Sequence, residues 1–417
     1  MKNMIKITTI LFLTFLMSTM GLATNGDNLI GIGPISRAMG GVGIAAPQDA
    51  ISAVFSNPSA QCFGPFCPST EVNFAATAFI PDVQAKISNT IGTYKANSND
   101  DVYMIPAFGL SLPISQGLNP PIWRFGMAAY GVSGLGVDYR ETNIDTAPGG
   151  LFGPNPLASG TFTQLQSMRF APSIAYQPVA RWSFGLAGVL EYANLDLGEG
   201  SDWSYGVGVQ AGVSFKAANW LSLGLNYISP RKTTFQNVAD FDGDGDLDNL
   251  RLDAPQELGF GAAVTFGNFL FEADTKWINW GDADGYEDFD WNDQYVFAIG
   301  GQWQALPKLY LRAGYNYAKN PLEDNDGYTI APTSVQGKTL PGYYYETFRV
   351  IGFPAIVEQH LTLGVTYEFT PKFSVNLGYV HGFEETFKES GTDFAGASKI
   401  ESTLSEDSID IGLTWRF

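Results

Sequence analysis

The 417-residue chain carries 42 acidic and 23 basic residues, a formal charge of −19, and its lack of any basic run or patch argues against nucleic acid as a partner. With only His360 and His381 and no phosphate loop, zinc spacing or serine–histidine motif, no enzymatic chemistry is expected. This length would ordinarily divide into soluble domains of about 100–200 residues each, yet no linker, composition break or sustained helical periodicity follows residue 60.

The chain starts with Lys2 and Lys6, an apolar run from Ile7 to Met20, and the small-residue stretch Gly21-Leu22-Ala23. That order is the pattern of a secretory signal cleaved after Ala23. The run is shorter than the ~20 residues of a spanning helix and holds several threonines. Residues 24–70 are rich in glycine and lack strand alternation, so they belong outside a sheet or inside it as a plug. Within them Cys62 and Cys67 flank Gly64-Pro65, and in an exported protein such a pair is expected to form a disulfide.

From residue 71 the alternation predicts fourteen strands, at about 71–81, 102–113, 122–138, 161–178, 181–197, 202–217, 219–233, 250–266, 268–280, 291–305, 307–319, 355–369, 372–386 and 405–417. The last is the clearest. Ile409, Ile411, Leu413, Trp415 and Phe417 fall on one face, and Ser408, Asp410, Gly412, Thr414 and Arg416 on the other. Connections alternate between short turns and longer segments such as 82–101, 139–160, 234–249, 320–354 and 387–404, although 198–201 is short where a long one is due. Trp182, Trp203, Trp220, Trp277, Trp280, Trp303 and Trp415 lie toward strand ends, as interfacial girdles require. Together these features predict an all-β fold: a transmembrane antiparallel barrel of about fourteen strands in a bacterial outer membrane, plugged by residues 24–70 and surrounded by membrane lipid.

The segment Ile35–Ala60 carries the run Gly40-Gly41-Val42-Gly43, then Asp49-Ala50, then Asn57-Pro58-Ser59. It resembles the N-terminal hatch of the FadL/TodX family of long-chain fatty acid and hydrocarbon transporters, with Ser59 where that family usually has Ala. Phe79–Ser88, Trp182–Leu195, Arg251–Ala263 and Ile351–Glu385 extend the resemblance over the chain. The resemblance implies passive uptake of a fatty acid or hydrocarbon by a monomer without a cofactor. Ligand capture in the lumen, movement of the hatch and sideways exit at a kink in the third strand would be the steps. That kink matches Ala129–Tyr139, where Gly131, Gly134 and Gly136 are also what a bulge needs. Asn57 is the expected contact between hatch and wall.

A fatty acid would need a cation for its head group. Alternation turns Arg124, Arg169, Lys276, Arg312 and Arg416 inward, with Arg169 and Arg312 ranked first and Arg416 placed too near the periplasmic end. Glu257, Glu272 and Asp274 also turn inward and could pair with these cations; a hydrocarbon would need none of them. Asp240, Asp242 and Asp244 with Gly245 match the start of a calcium loop, but position twelve is Arg251, so a Ca²⁺ site here would be incomplete and a solvated acidic loop is the simpler reading. A general porin and a non-transporting adhesin or structural barrel are the alternative functions, and the plug argues against the first.

Overall fold

The computed structural model describes residues 24–63, 70–99, 102–115, 122–146 and 162–417. The signal segment and Cys67 lie outside these residues; Cys62 is disulfide-bonded. Fourteen antiparallel strands close into a barrel. They are β1 Glu71–Asn89, β2 Tyr103–Pro113, β3 Trp123–Asp138, β4 Phe162–Val179, β5 Trp182–Asp196, β6 Ser201–Ala218 and β7 Leu221–Ile228. The second half comprises β8 Glu257–Phe266, β9 Phe269–Ile278, β10 Gln294–Leu306, β11 Leu309–Ala318, β12 Gln359–Thr370, β13 Phe373–Asp393 and β14 Gly396–Arg416. Each pairs with its neighbours in sequence, and β14 returns to β1 with Arg416 opposite Glu71. Closure leaves no open edge, which is what a sheet needs in hydrocarbon.

The alternation in β14 is borne out: Ile409, Ile411, Leu413 and Trp415 are exposed on the outer face, while Ser408, Asp410, Gly412 and Thr414 are buried inside. Aromatic stacks mark the turn end of the barrel, such as Trp123 on Tyr176 at 4.3 Å, Trp182 on Phe215 at 4.3 Å and Trp303 on Phe269 at 5.9 Å. Trp280 does not belong to this girdle. It is fully buried among the outer loops against Tyr286 and Trp291. A strand-end position in sequence does not say whether the next turn points to lipid or folds inward.

Two segments expected as outer loops are sheet instead. β1 runs on to Asn89 with a short partner strand, Thr93–Asn97, and β13 and β14 continue as a ribbon to the turn before Gly396. Beyond the membrane both faces of a ribbon can be wet, so the apolar alternation that marks a lipid-facing strand disappears while the pairing continues. Polar cross-strand contacts hold the ribbon, including Lys86 to Glu401 at 3.2 Å. The expected strand at 250–266 likewise begins only at Glu257; residues 248–251 pair instead with 234–239 in a separate outer hairpin.

The N-terminal segment lies in the lumen. It comprises a tight hairpin pairing Thr24–Asn25 with Asn28–Leu29, helix α1 Gly33–Arg37, the glycine run, helix α2 Ala50–Ser56 and a 3-10 turn at Pro58–Ala60. Asp49 starts α2 through a reciprocal cap, accepting from the Ser52 amide at 2.8 Å. Arg37 at the end of α1 meets Asp410 of β14 at 3.0 Å, both side chains fully buried.

Candidate functional site

The hatch is seated on the inner wall by close contact of its backbone, and of the Asn57 and Pro34 side chains, with wall glycines. A Cβ added at Gly185 would fall 2.2 Å from the Ser59 amide nitrogen, at Gly212 1.9 Å from the Asn57 Oδ1, and at Gly224 2.0 Å from the Ile44 carbonyl oxygen. Continuing round the barrel, one at Gly300 would fall 2.3 Å from the Met39 carbonyl oxygen, at Gly314 2.2 Å from the Met39 carbonyl carbon, and at Gly412 2.6 Å from Pro34. These six positions belong to β5, β6, β7, β10, β11 and β14, so glycine lets the plug touch the wall around much of its circumference.

Side chains of the wall then hold the hatch backbone. Asp274 on β9 accepts from the amides of Gly43 and Ile44 at 2.9 and 3.1 Å, and Glu272 accepts from Ala45 and Ala46 at 2.7 and 3.0 Å. The expectation that these two acids pair with lumen cations is therefore replaced: four successive amides occupy them. Gly40 donates to Thr362 and accepts from Asn316, both at 2.9 Å. Gly41 has φ +85°, and a Cβ there would fall 1.9 Å from the Ile30 carbonyl oxygen, so the run requires glycine at this point.

Asn57 does reach the wall, but at β6 rather than at the kinked strand. Its amide donates to the Ile44 carbonyl at 2.8 Å and, more weakly, to Ser214 at 3.4 Å. Its Oδ1 accepts the Ser59 hydroxyl at 2.7 Å, and that hydroxyl also meets Ser214 at 2.7 Å. Pro58 opens the 3-10 turn that follows. Near the kink the hatch presents Phe55 instead, edge-on to Tyr130 of β3 at 5.4 Å.

The register of β3 breaks between Gly131 and Ser133. Pairing of β2 with β3 ends at Ala107 opposite Tyr130, although β2 begins at Tyr103. A cavity of about 210 Å³ opens in the wall at this point, lined by Ile105, Gly131, Gly134, Met168, Tyr192 and Trp203 among others. Gly131 and Gly134 face Ile105, while Gly136 packs against the Thr163 carbonyl of β4.

Two further cavities lead from this gap toward the outer loops. The first shares Ser133 and Ser167 with it and is bordered by Asp27, Asn28, Arg169, Glu191 and Tyr286. The second shares Leu165, Leu252 and Tyr286 with the first and is lined by Leu250, Phe289, Trp291, Phe353 and Arg349. Each is only about 20 Å³, room for roughly one water. The three form a constricted series from an apolar pocket under the outer loops, past a polar waist, to the opening in the wall.

The cations on this series are committed to carboxylates. Arg169 pairs with Glu191 at 3.1 Å and Glu257 at 3.5 Å; Arg231 joins Glu191 at 2.7 Å. Arg349 pairs with Glu346 and Glu389. Arg312, ranked with Arg169, lies elsewhere. It faces a polar cavity of about 450 Å³ at the turn end of the barrel, together with Gln48, Gln302, Tyr310, Glu368 and Arg416. It donates to Gln302 at 2.8 Å and Thr366 at 2.5 Å and has no carboxylate within ion-pair distance among the described residues. Arg416 is tied to Glu71 at 2.8 Å and Glu368 at 3.2 Å. Arg124 is buried against Ser111, with bonds of 3.2 and 3.0 Å. Lys276 is half-buried on β9. The structure thus spreads the five cations over several places, with Arg312 and Arg416 sharing the turn-end cavity, rather than gathering them around one head group. Asp27 and Tyr286, which come from outside the strands, and Arg231, which lies past the end of β7 although the expected strand reached residue 233, were not singled out from sequence.

Solved structures share this architecture. The Pseudomonas putida toluene transporter TodX matches over 94% of this chain and 100% of its own, with a TM-score of 0.66 and 20% identity. A Pseudomonas aeruginosa FadL homologue matches over 96% and 100%, with a TM-score of 0.66 and 13% identity. The Ralstonia pickettii toluene transporter TbuX matches over 94% and 99%, with a TM-score of 0.63 and 16% identity. The chain has the fold of the FadL/TodX outer-membrane channels. No protein-family model matches the sequence, and no curated protein matches it significantly.

In this FadL-type barrel the tip of the N-terminal hairpin is expected to respond to pH. Asp27 receives the Tyr286 hydroxyl of an outer loop. Burial pushes its carboxyl from 3.8 up to about 7; the Tyr286 bond, Arg169 and Arg231 oppose the rise and Glu191 adds to it. Because the folded value is raised, the protonated form is the one the fold favours, and the contribution to stability declines as pH rises from about 4 to about 7. Protection of the amides of residues 24–29, measured as exchange corrected for its intrinsic pH dependence, is expected to be weaker at pH 7 than at pH 5, and Asp27→Asn to remove the difference. An unchanged contrast in the variant would assign it to another group.

The acidic loop outside the barrel brings carboxylate oxygens of Asp240, Asp242 and Asp244 within 4.8 Å of one another. Asp240 already accepts the amides of Gly243, Asp244 and Gly245, at 2.7, 3.1 and 2.9 Å. Lys338 meets Asp242 at 3.1 Å and Asp248 at 2.6 Å, an arrangement that already supplies the loop with a cation of its own.

Proposed function

We propose that this protein is a FadL/TodX family channel through which small hydrophobic molecules cross the outer membrane passively. Molecules enter the apolar pocket under the outer loops, pass the waist at Asp27 and Glu191, and leave sideways through the gap at Gly131–Ser133. The observation that supports this reading is the series of three cavities ending in the wall above a hatch that fills the lumen. Two members of the series are barely large enough for one water, so passage needs the N-terminal hairpin to move. TodX and TbuX are toluene transporters by name.

Between the two substrate classes, an uncharged hydrocarbon is favoured. Arg169, Arg231 and Arg349, the cations along the series, are all paired with glutamates, and a carboxylate ligand would have to displace one of them at high cost. The fatty-acid reading rests on Arg312, which faces the turn-end cavity on the far side of the hatch. The chain is taken to be exported with residues 1–23 removed as a signal, and to work as a monomer in contact with outer-membrane lipid.

Uptake of labelled toluene and oleate by a deletion strain carrying this gene tests the function, with single-channel conductance measured in parallel. Toluene entry without steady conductance is the expected pattern. Oleate entry lost on Arg312→Ala would favour the fatty acid, and large steady conductance would sink the proposal in favour of a porin.

A further inference from the structure

Glu406 is a buried carboxylate that the uptake route does not use. It lies on the inner face of β14 and is 1% exposed. Among the described residues its hydrogen-bond donors all belong to Thr24: the hydroxyl, at 3.3 and 3.5 Å from its two oxygens, and the backbone amide. Among the described residues no arginine, lysine or histidine stands within ion-pair distance of Glu406. Its neighbours on the inner wall are differently supplied. Asp410 has Arg37, Glu71 has Arg416, and Glu191 has two arginines. Arg37, whose charge also reaches Glu406, is committed to Asp410 and Ser408. A carboxylate buried without a counter-charge is costly, and a fold that keeps one usually supplies the partner.

The missing cation can come from processing. We propose that removal of residues 1–23 leaves the α-ammonium group of Thr24 in the lumen as the ion-pair partner of Glu406, and that this pair seats the N-terminal hairpin of the hatch. The step rests on the export reading above. A signal peptidase hydrolyses the Ala23–Thr24 peptide bond, consuming one water; Ala23 leaves as a carboxylate and the Thr24 nitrogen takes up a proton. An α-amine has a pKa near 7.7–8, so it is charged at neutral pH. The change occurs at the atom that already faces Glu406: a neutral amide with one proton becomes a cation with three. The signal pattern and the orphan carboxylate, which are independent of each other, point to the same nitrogen. An N-terminus at another residue would put the charge elsewhere and leave Glu406 unmatched.

The pair has a mechanical consequence. The hairpin Thr24–Leu29 carries Asp27 and Asn28, which border the waist of the cavity series. Thr24 therefore tethers to β14 the element that must move for a ligand to pass.

Intact-mass measurement and N-terminal sequencing of protein purified from outer membranes are expected to give a chain starting at Thr24. Amide exchange of residues 24–29 then reads the tether. Glu406→Gln, which keeps the shape and removes the charge, is expected to speed exchange about tenfold, in line with the loss of a hydrogen bond between charged groups. One glycine inserted between Ala23 and Thr24 moves the amine by roughly 3.4 Å; it is expected to produce a similar increase, with little further effect in the double variant. A retained signal, or a start at another residue, overturns the proposal together with the processing it rests on. A start at Thr24 with exchange unaltered by Glu406→Gln, or with additive effects of the two changes, overturns the ion pair alone.

Discussion

Filling the wall gap is expected to reduce uptake by about an order of magnitude without unfolding the barrel. A Cβ at Gly131 would fall 2.4 Å from Cγ2 of Ile105, and one at Gly134 3.7 Å from its Cδ1. Gly131→Val, and more strongly the double change with Gly134→Val, would place branched side chains in the cavity of about 210 Å³ where β3 leaves β2. The rest of the sheet would be little affected, because β3 has lost its pairing with β2 at both residues and its register with β4 shifts between Gly131 and Ser133. Toluene accumulation by whole cells is the measurement, with gel mobility before and after heating as the check on folding. Restoration of uptake when Ile105→Ala is added to Gly131→Val would place the effect in the gap rather than in folding. Full uptake by the well-folded double variant would mean that the ligand takes another path.

The second large effect is expected at the hatch. Glu272→Leu with Asp274→Leu removes the acceptors of four consecutive amides, Gly43 to Ala46. Each buried amide left without a partner costs about 1–3 kcal/mol. The sum exceeds what this run can recover by local adjustment, since Gly224 and Gly261 of the wall leave no room for Ile44 and Ala45 to shift outward. The run is expected to detach, and the variant to show steady ion conductance and heightened sensitivity of cells to large antibiotics. The isosteric pair Glu272→Gln with Asp274→Asn keeps acceptor oxygens in place and should stay close to the parent. Equal conductance in the two pairs would mean that charge, not acceptance, holds the hatch.

Much of the fold was legible because the bilayer imposes it. Lipid outside and a polar plug inside force strict alternation, so the fourteen strands could be placed from hydrophobicity alone, and the end of β14 to within a residue, though not its start at Gly396. Where lipid no longer touches the sheet, that signal ends. The ribbon of β13 and β14 beyond the membrane therefore reads as loop, and Trp280 as a girdle residue. At the candidate site, inward direction was legible for Arg169 and Arg312, and so was Glu257 as a partner for Arg169, but the pairing with Glu191 was not. Glu191 lies on the neighbouring strand β5, while Arg231 arrives from the segment after β7, and only the closed barrel brings them together. Glu272 and Asp274 were seen as inward acids. Their partners are amides, which carry no mark in the sequence. The glycines of the wall were visible as composition but not as a seat, because that meaning depends on what lies within 2–3 Å of the absent Cβ.

The seam between β14 and β1 also constrains the order of assembly. Arg37 meets Asp410 across 373 residues of chain, and both lie inside a wall whose last pairing joins the first strand to the final one. Part of the plug's seat is thus made of the final strand itself, so the earliest part of the chain to be made gains this anchor only when the last strand is in place.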